Sequence, residues 1–373
     1  RYSRASPLFG GIAAWLQFCT TVQRLPKPLS SNAASMAWFS NAHSAVPLRL
    51  RCMMTSQAHT PIMLQLENLS VEFGKGDQRV RAVANVSLQI RTGQTLGVVG
   101  ESGSGKSTLG RAILKLVPLT QGQITFDGQA IQDLSSSAMR PLRRQMQMVF
   151  QDPSLNPRQR AGDMLHEVLD THQLHKGPQR QARIQELLEL VGLKAEHATR
   201  FPHEFSGGQK QRLGIARALA TESKFIVADE PLSALDMSIQ AQVVNLLIRL
   251  KSQLGLTLLF ISHDLDVVEY LCDHVVVMYL GRVMEAAPAA ELFAKPRHPY
   301  TQALLAAAPI PDPSQPAPVV VLHGEPPSPL SPPSGCVFRT RCPHAVAQCA
   351  EHMPELKHLS PEHAAACIRL DEI

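Results

Sequence analysis

The stretch between Gly100 and Ser107 carries residue types suited to holding the phosphates of a nucleotide. It reads GESGSGKS, which fits the pattern G-x-x-x-x-G-K-S. The glycines let the backbone curl so that its N–H groups face one anionic centre, while Lys106 would reach the β- and γ-phosphates and the Ser107 hydroxyl would ligate Mg²⁺. A glycine- and serine-rich turn without a ligand is the alternative. The apolar run before the pattern and the helical period after it favour a phosphate-binding loop.

Two adjacent carboxylates follow a second apolar run. Residues 225–228 read as a buried strand that ends in Asp229 and Glu230. Asp229 would hold the Mg²⁺ shell, and Glu230 would polarise the attacking water, because in-line attack on a γ-phosphate needs a base opposite the leaving group. The run at 256–261 delivers His263 to the same sheet edge. A lone histidine is usually structural, but one beside these carboxylates is a candidate for holding the γ-phosphate and the water.

Two further polar features suggest ligand contacts. Gln151 follows the apolar run 146–150, so its side chain can face a site at a strand end, although this signal alone is weak. In FSGGQKQR, Ser206 is a good helix N-cap, and Gly207 and Gly208 leave backbone N–H groups bare for an anion. A merely capped helix is the alternative. Two glycines in a first turn lower helix propensity without an evident packing benefit, which favours a ligand.

The elements that must position these side chains alternate between strand and helix patterns. Residues 64–73 and 83–90 alternate apolar and polar side chains and lead as strands into the phosphate-binding loop. Helical stretches within 161–200, notably 184–191, form an insertion between the two halves of the nucleotide fold. A turn at 233–236 precedes a helix at 239–254. This order predicts an α/β fold.

Length and charge limit the classes of function. The chain has 373 residues, 44% of them hydrophobic, which is enough for a substantial core of one or two domains. Its net charge is +5, but residues 1–53 hold six of the 36 basic residues and none of the 31 acidic ones. The rest therefore has a net charge of −1. A nucleic-acid-binding surface on the folded part gains no support from this charge.

The first 53 residues resemble a leader more than a folded segment. They start without Met, are rich in Ser, Ala and Arg, and show no convincing period. The apolar run 8–18 could pass for part of a signal peptide, and the acid-free composition could pass for a transit peptide. We favour an upstream extension that does not fold, with the natural start near Met53 or Met54. No apolar run after residue 63 approaches the roughly 20 residues of a membrane span.

In order, these motifs resemble the ATPase subunits of ATP-binding cassette (ABC) transporters across residues 64 to about 308. GESGSGKST, Gln151, SGGQKQR, FIVADEP, SALD and ISHD match that family's phosphate loop, glutamine loop, signature, metal strand, dimer loop and switch histidine. RHPYTQALLAAAP, GEPPSPLSPPSGC and FRTRCP resemble the C-terminal extension of the dipeptide, oligopeptide and nickel importer branch. The resemblance implies a P-loop NTPase fold with a mixed sheet and a helical subdomain.

The resemblance also implies a set of site residues. Glu230, His263 and Gln151 would be catalytic, and Mg²⁺ would be held by Ser107, Gln151 and Asp229. Phe73 takes the place of the aromatic residue that stacks on adenine, although an ordinary core Phe is the commoner case. The implied ATP contacts are Phe73, Gly100, Ser102, Gly103, Ser104, Gly105, Lys106, Ser107, Thr108, Ser206, Gly207, Gly208, Gln209 and Asp236.

By the same resemblance the chain would divide into a leader (1–60), an ABC ATPase domain (61–295, helical subdomain about 152–222) and an extension (296–373). Its function would be to couple ATP hydrolysis at a cassette dimer to uptake of di- or oligopeptides, or of nickel or a glutathione-like solute. Implied partners are a second ABC ATPase subunit, identical or paralogous, two transmembrane permeases and a periplasmic or extracellular solute-binding protein, with no nucleic acid. The chain would lie peripherally on the cytoplasmic face of the inner membrane.

Two alternative functions keep the same motifs. A soluble cassette protein of ribosomes or DNA usually carries two cassettes or a basic or coiled-coil arm, and neither is seen here. An accessory cassette of a phosphonate-degrading complex is the other alternative. Neighbouring genes for two permeases and a binding protein would favour import over both.

Four of the seven cysteines crowd into the last tenth of the chain: Cys336, Cys342, Cys349 and Cys367. The alternatives are reduced packing thiols, a Zn²⁺ site or an iron–sulfur cluster, since disulfides are unusual in a cytoplasmic protein. The spacing C-x5-C-x6-C-x17-C lacks the C-x2-C pairs of common zinc sites, whereas four thiolates are the full ligand set of a [4Fe-4S] cluster. The importer resemblance adds weight to a cluster, which would pin a proline-rich tail, residues 309–333, against the cassette.

Overall fold

The alternating segments near residues 64 and 83 form strands, as predicted, and these strands pair in an antiparallel sheet. The structure is a computed structural model that describes residues 60–307 and 324–373. In it β1 (Ile62–Phe73) pairs with β2 (Val80–Arg91) and β4 (Gln121–Phe126), and β5 (Gln129–Ala130) completes the four strands. Every apolar residue of the predicted alternation from Leu64 to Val71 is buried in the core, so the alternation marks the face that packs against the rest of the protein.

A second sheet carries the phosphate-binding loop. Five of its strands are parallel neighbours in the order β9-β3-β8-β7-β6, with antiparallel strands added beside β9. Their near-continuous apolar character reflects burial on both faces. The five parallel strands are β3 (Thr95–Val99), β6 (Met146–Val149), β7 (Phe225–Asp229), β8 (Thr257–Ile261) and β9 (His274–Tyr279).

Because parallel strands share a direction, their carboxyl ends meet at one edge of the sheet. The last residues of β3, β6, β7 and β8 and the segments after them contain the phosphate-binding loop, Gln151, the pair Asp229 and Glu230, and His263. The topology therefore confirms the α/β class and brings together the ends on which the predicted chemistry depends.

Helices cover the parallel sheet and form the predicted insertion. The helical period after the phosphate-binding loop predicts a helix at 107–116, and the helix there is one of the shorter ones, ending at Ile113. The helices are α1 (Lys106–Ile113), α2 (Ser136–Gln145), α3 (Ala161–Thr171), α4 (Pro178–Leu190), α5 (Gly207–Leu219), α6 (Met237–Leu254), α7 (Leu265–Leu271), α8 (Ala289–Ala294) and α9 (Pro299–Ala306). Short 3₁₀ turns lie at Gly76–Gln78, Ala195–Thr199, Pro202–Glu204 and Ala347–Ala350.

The far edge of the second sheet is completed by the C-terminal extension. There β10 (Arg282–Pro288) pairs with β9 on one side and with β12 (Ala364–Ala365) on the other, and β11 (Lys357–His358) pairs with β12. Glu285 of β10 is completely buried. Its carboxylate accepts hydrogen bonds from the backbone N–H groups of Arg297 (2.7 Å) and His298 (2.9 Å), and His363 Nε2 lies 2.7 Å from it.

Residues 60–305 and the described residues from 324 to 373 belong to one compact unit, so cassette and extension pack as a single body. Within the described ranges, no helix has both the length and the apolar character needed to cross a bilayer. The predictions for residues 1–59, including the leader and its two cysteines, lie outside the described residues, as does most of the proline-rich tail before residue 324.

Candidate nucleotide site

A cavity of about 690 Å³ opens at the carboxyl edge of the parallel strands. Six residues of the phosphate-binding loop and the start of α1 line it, together with Gln151 and Glu230. Those six are Ser102, Gly103, Gly105, Lys106, Ser107 and Thr108. The structure thus brings the predicted phosphate contacts and two of the three predicted catalytic residues to one space large enough for a nucleotide.

The backbone of the loop requires glycine where it turns into α1. Gly105 has φ 98°, and a Cβ atom there would collide with the carbonyl oxygen of Ala82. A side chain at this position would therefore meet both backbone strain and a clash. Gly105 is the N-cap of α1, so the positive end of the helix dipole points into the cavity.

Lys106 is held by the loop itself. Its Nζ donates to the carbonyl oxygens of Gly100 (2.8 Å) and Glu101 (2.9 Å) and lies 3.4 Å from the Ser104 hydroxyl. Burial lowers the pKa of Lys106, and the carboxylates of Glu230, Asp229 and Glu101 oppose that shift. The ammonium is thus held by loop acceptors, in the wall of the cavity, where it can reach a phosphate.

The predicted metal side of the site is assembled around Asp229. The Ser107 hydroxyl donates to Asp229 Oδ1 at 2.7 Å, and Arg111 Nη2 lies 3.9 Å from Oδ2. Burial raises the pKa of Asp229, while the hydrogen bond from Ser107 lowers it. No group of three or more His, Cys, Asp or Glu side chains among the described residues is placed to hold a metal ion. Mg²⁺ fits such a site, because it usually takes one or two protein oxygens and completes its shell with phosphates and water.

Glu230 stands in a constrained position next to Asp229. It has φ 46°, a left-handed conformation unusual for a residue with a side chain, and its N–H donates to the Ile261 carbonyl oxygen at 3.0 Å. His263 Nδ1 lies 3.5 Å from Glu230 Oε2. Gln151 Nε2 donates to Ser233 Oγ (3.2 Å), which donates to the Glu230 carbonyl oxygen (3.1 Å). The ends of three strands therefore meet around Glu230, His263 at its carboxylate and Gln151, through Ser233, at its backbone.

Several predicted ATP contacts lie away from this cavity. Phe73 is 41% exposed and does not line it, whereas its neighbour Glu72 and its strand partner Val80 do. The start of the signature helix and Asp236 also lie outside the cavity, and the side chains of Ser206 and Asp236 are exposed. Gly100 and Ser104 do not line the cavity either, and they contact it only indirectly, through their hydrogen bonds with Lys106 Nζ.

The prediction that the signature glycines have no packing benefit is wrong for Gly208. It is buried, and a Cβ atom there would collide with Ile239 of α6. The helix start is also less bare than expected, because Ser206 Oγ accepts from Gln209 N (3.3 Å) and Gln209 Oε1 accepts from Ser206 N (3.0 Å). Tight packing of α5 against α6 thus requires at least one of the two glycines.

One wall of the cavity comes from the C-terminal extension and was not predicted from the sequence. This wall is mostly apolar and consists of Pro329, Pro332, Pro333, Gly335, Val337 and Met353. The only signal in the sequence was the proline-rich composition of GEPPSPLSPPSGC, which carries no information about its distant contacts.

The four C-terminal cysteines converge on a second, smaller cavity. Cys336, Cys342, Cys349 and Cys367 line it as free thiols, together with the buried His298. Burial raises the pKa of Cys336 to about 11, to which the other three thiols contribute, and burial lowers the pKa of His298 to about 4. The four thiols share a cavity, but among the described residues no three His, Cys, Asp or Glu side chains are grouped to hold a metal ion, so neither the predicted cluster nor a Zn²⁺ site is shown by this geometry.

Comparison with known proteins agrees with this geometry. Residues 83–233 match the ABC transporter family, and residues 284–349 match the oligopeptide/dipeptide transporter C-terminal region. The chain is 52% identical over 293 residues to the oligopeptide transport ATP-binding protein AppF of Bacillus subtilis, covering 77% of this chain and 89% of AppF. It is 53% identical over 312 residues to a protein of Brucella abortus named for peptide import and ATP binding, covering 83% of this chain and 98% of that protein.

Solved structures of cassettes have the same fold. The dimeric ATP-binding cassette MJ0796 with bound ADP and phosphate is 30% identical, has a TM-score of 0.57, and covers 61% of this chain and 99% of its own. CbiO1 of Clostridium perfringens, part of the cbiONQ transporter complex, is 29% identical with a TM-score of 0.57 and covers 63% of this chain and 91% of its own. With its phosphate-binding loop, its paired carboxylates and its relatives over most of its length, the chain belongs to the ATP-hydrolysing, Mg²⁺-dependent ATP-binding subunits of ABC transporters, in the group with the oligopeptide/dipeptide transporter C-terminal region.

Proposed function

We propose that the chain powers a membrane importer of di- or oligopeptides, with nickel or a glutathione-like solute as the less favoured cargo. The observation that carries the ATPase half is the cavity that joins Lys106, Ser107 and Glu230. The assignment of the cargo rests on the C-terminal region at 284–349 and on the functions for which relatives of about 50% identity are named. No feature of the described residues favours the phosphonate or ribosome alternatives.

Each site residue has a proposed role. Lys106 and the loop N–H groups bind the phosphates, and Ser107 with Asp229 and Gln151 would hold Mg²⁺, which supplies charge neutralisation at the β- and γ-oxygens. The Glu230 carboxylate accepts a hydrogen bond from the attacking water and so polarises it. His263, whose Nδ1 lies 3.5 Å from Glu230 Oε2, orients the γ-phosphate. Gln151, linked through Ser233 to the Glu230 backbone, connects this chemistry to the helical insertion.

Residues outside the cavity are proposed to complete a second copy's site. Ser206, Gly207, Gly208, Gln209 and Asp236 lie away from this chain's own phosphate-binding loop, and the exposed Ser206 and Asp236 are free to meet the ATP of a partner cassette. Phe73, which is exposed, would stack on adenine at the cavity rim. We propose a cassette at 61–295 with a helical subdomain near 152–222, an extension at 296–373, two permeases, a solute-binding protein, and a peripheral position on the cytoplasmic membrane face.

The cargo is tested by uptake in cells that lack the gene. We expect loss of labelled tripeptide uptake, restoration by the wild-type gene and no restoration by the Glu230→Gln variant, because uptake is driven by ATP turnover. Labelled nickel and labelled glutathione are measured in parallel. Undiminished tripeptide uptake together with lost uptake of one of the other solutes would reassign the cargo, and undiminished uptake of all three would contradict the importer role.

For the cysteine cavity we propose a [4Fe-4S] cluster. Supporting it are the four free thiols that line one cavity, since a [4Fe-4S] cluster takes four Cys thiolates. Burial raises the pKa of Cys336, and iron bound in the cavity would deprotonate the thiols.

Anaerobically purified protein is expected to be brown and to hold about four irons per chain, with broad absorbance from thiolate-to-iron charge transfer. Cys349→Ser should lower the iron content sharply. The matched control is Cys272→Ser, because Cys272 is also buried but lies outside the cavity. Colourless wild-type protein without iron would contradict the cluster and leave the cysteines as packing residues.

A further inference from the structure

The phosphate-binding loop contains an acidic residue, which is unexpected in a site for an anion. Glu101 is the second residue of GESGSGKS, and its side chain is 21% exposed. A carboxylate next to bound phosphates repels them, the more so in the low dielectric of a partly buried site. Glu101 does not line the cavity, but its charge acts on Lys106, so it lowers the affinity of the loop for phosphates unless a neighbour neutralises it.

Arg341 of the C-terminal extension neutralises it. Its Nη1 donates to Glu101 Oε2 at 2.7 Å, and its Nη2 donates to Glu101 Oε1 at 3.0 Å. The pair is thus bidentate, the strongest and most directional ion-pair geometry. The Arg341 side chain is only 6% exposed, and its hydrogen bonds with Glu101 raise its pKa. The two residues are 240 positions apart in sequence.

Glu101 is also fixed through its backbone. Its N–H donates to Tyr300 Oη at 2.9 Å, and its carbonyl oxygen accepts from Lys106 at 2.9 Å. The rings of Tyr300, Tyr279 and Phe338 are all buried and lie 4.7 to 5.4 Å apart between centroids. Arg341 Nη1 lies 3.3 Å from Tyr279 Oη, and its guanidinium carbon is 5.9 Å from that ring's centroid. An aromatic cluster shared by cassette and extension therefore holds both ends of the ion pair.

We propose that Arg341 is a positioning residue for the phosphate-binding loop, through which the C-terminal extension controls nucleotide affinity. It cancels the charge of Glu101 and fixes the residue whose carbonyl oxygen contacts the phosphate-binding lysine. This proposal rests on the proposed nucleotide site and assigns it a residue from outside the cassette motifs. Arg341 touches no substrate, so it acts on binding through Glu101.

The effect of single substitutions on nucleotide binding differs between an ion pair that only holds the extension in place and one that cancels the charge of Glu101. If the pair only tied the extension to the cassette, removing either partner would weaken nucleotide binding to a similar degree. If Arg341 cancels the Glu101 carboxylate, then Arg341→Ala exposes a negative charge and weakens binding, whereas Glu101→Gln removes that charge and does not. The comparison of the two single variants therefore distinguishes the two roles.

The experiment is calorimetric titration of the full chain with MgADP, which occupies the phosphate-binding loop without turnover. We expect Arg341→Ala to raise the Kd about tenfold because the carboxylate is left uncompensated. We expect Glu101→Gln, and the double variant Glu101→Gln with Arg341→Ala, to remain within about threefold of wild type for the same reason. The Kd of Arg341→Lys should fall between those of wild type and Arg341→Ala, since Lys keeps the positive charge and loses the bidentate contact of the guanidinium.

Arg180→Ala is the matched control, because Arg180 is 14% exposed and pairs with Asp170 in the helical insertion. It should bind MgADP like wild type. Equal weakening by Arg341→Ala and Glu101→Gln, or no change in Arg341→Ala, would overturn the proposal. If Arg341→Ala fails to fold, the Kd values of Arg341→Lys and Glu101→Gln for MgADP are compared instead, and they distinguish the two roles in the same way. Failure of the wild-type chain to bind MgADP would contradict the nucleotide site itself rather than the role of Arg341.

Discussion

Replacement of Lys106 by Ala is expected to abolish ATP turnover while leaving the fold intact. The buried ammonium is the cation of the loop, and a site built on electrostatic positioning of the phosphates loses about a hundredfold or more in rate without such a group. Folding should survive because Ala keeps the backbone of α1 helical, and the change removes only the side-chain hydrogen bonds to the carbonyl oxygens of Gly100 and Glu101. The measurement is ATP hydrolysis by the purified variant together with its partner subunits, with circular dichroism as the folding test.

Lys224→Ala is the control for this experiment. Lys224 is exposed and pairs with Asp127 at 3.1 Å, away from the nucleotide cavity. Its turnover should match that of wild type, since exposed ion pairs contribute little. A folded Lys106→Ala variant that hydrolysed ATP at the wild-type rate would contradict the assignment of the phosphate-binding loop.

Glu230→Gln and Ser206→Arg are expected to stop turnover in opposite ways. Gln cannot accept the proton of the attacking water, so the first variant should lose about 10²- to 10⁴-fold in rate yet bind ATP and accumulate as a closed dimer. Arg at position 206 puts bulk and positive charge at the exposed start of α5, where the partner's ATP would lie, so the second variant should fail to dimerise. Size-exclusion chromatography with and without ATP separates the two outcomes.

The dimer experiment is run with the chain alone and with a paralogous cassette, because the proposed partner is either a second copy or a paralogue. Glu269→Gln, an exposed carboxylate change on α7, is the control and should behave like wild type. Equal ATP-dependent dimerisation of the Glu230 and Ser206 variants would show that the signature helix does not meet a partner's nucleotide.

Local sequence signals were enough to predict the strands and the edge of the sheet at which the site lies. Apolar runs that end in polar residues predicted β7 and β8 and hence the approach of Glu230 and His263, because parallel strands must deliver their ends to one edge. The same local view could not explain Gly208, whose neighbour Ile239 lies on the next helix. It also missed the apolar wall around Val337 and Met353, since contacts between distant segments leave no period in the sequence.

Prediction of individual side-chain partners was similarly uneven. The sequence predicts that Ser107 and Asp229 share one metal ion, and the two side chains are hydrogen-bonded. This approach is predictable because each residue ends a motif, and a phosphate-binding loop beside a strand has a nearly fixed geometry. Glu101 and Arg341 could not be paired in advance. Each is an ordinary charged residue, and only the packing of Tyr279, Tyr300 and Phe338 brings them together.

The strand contributed by the extension has a consequence for how the molecule must be assembled. Without β12, strand β10 would present a bare edge of backbone donors and acceptors, which is a template for pairing with another chain. The buried carboxylate of Glu285 would at the same time lose His363, a partner 78 positions further along. A shortened protein that stops after the cassette motifs would thus keep every ATP-binding sequence and still be prone to aggregate, so expression trials need the chain through Leu370, whose carbonyl oxygen accepts from Arg297.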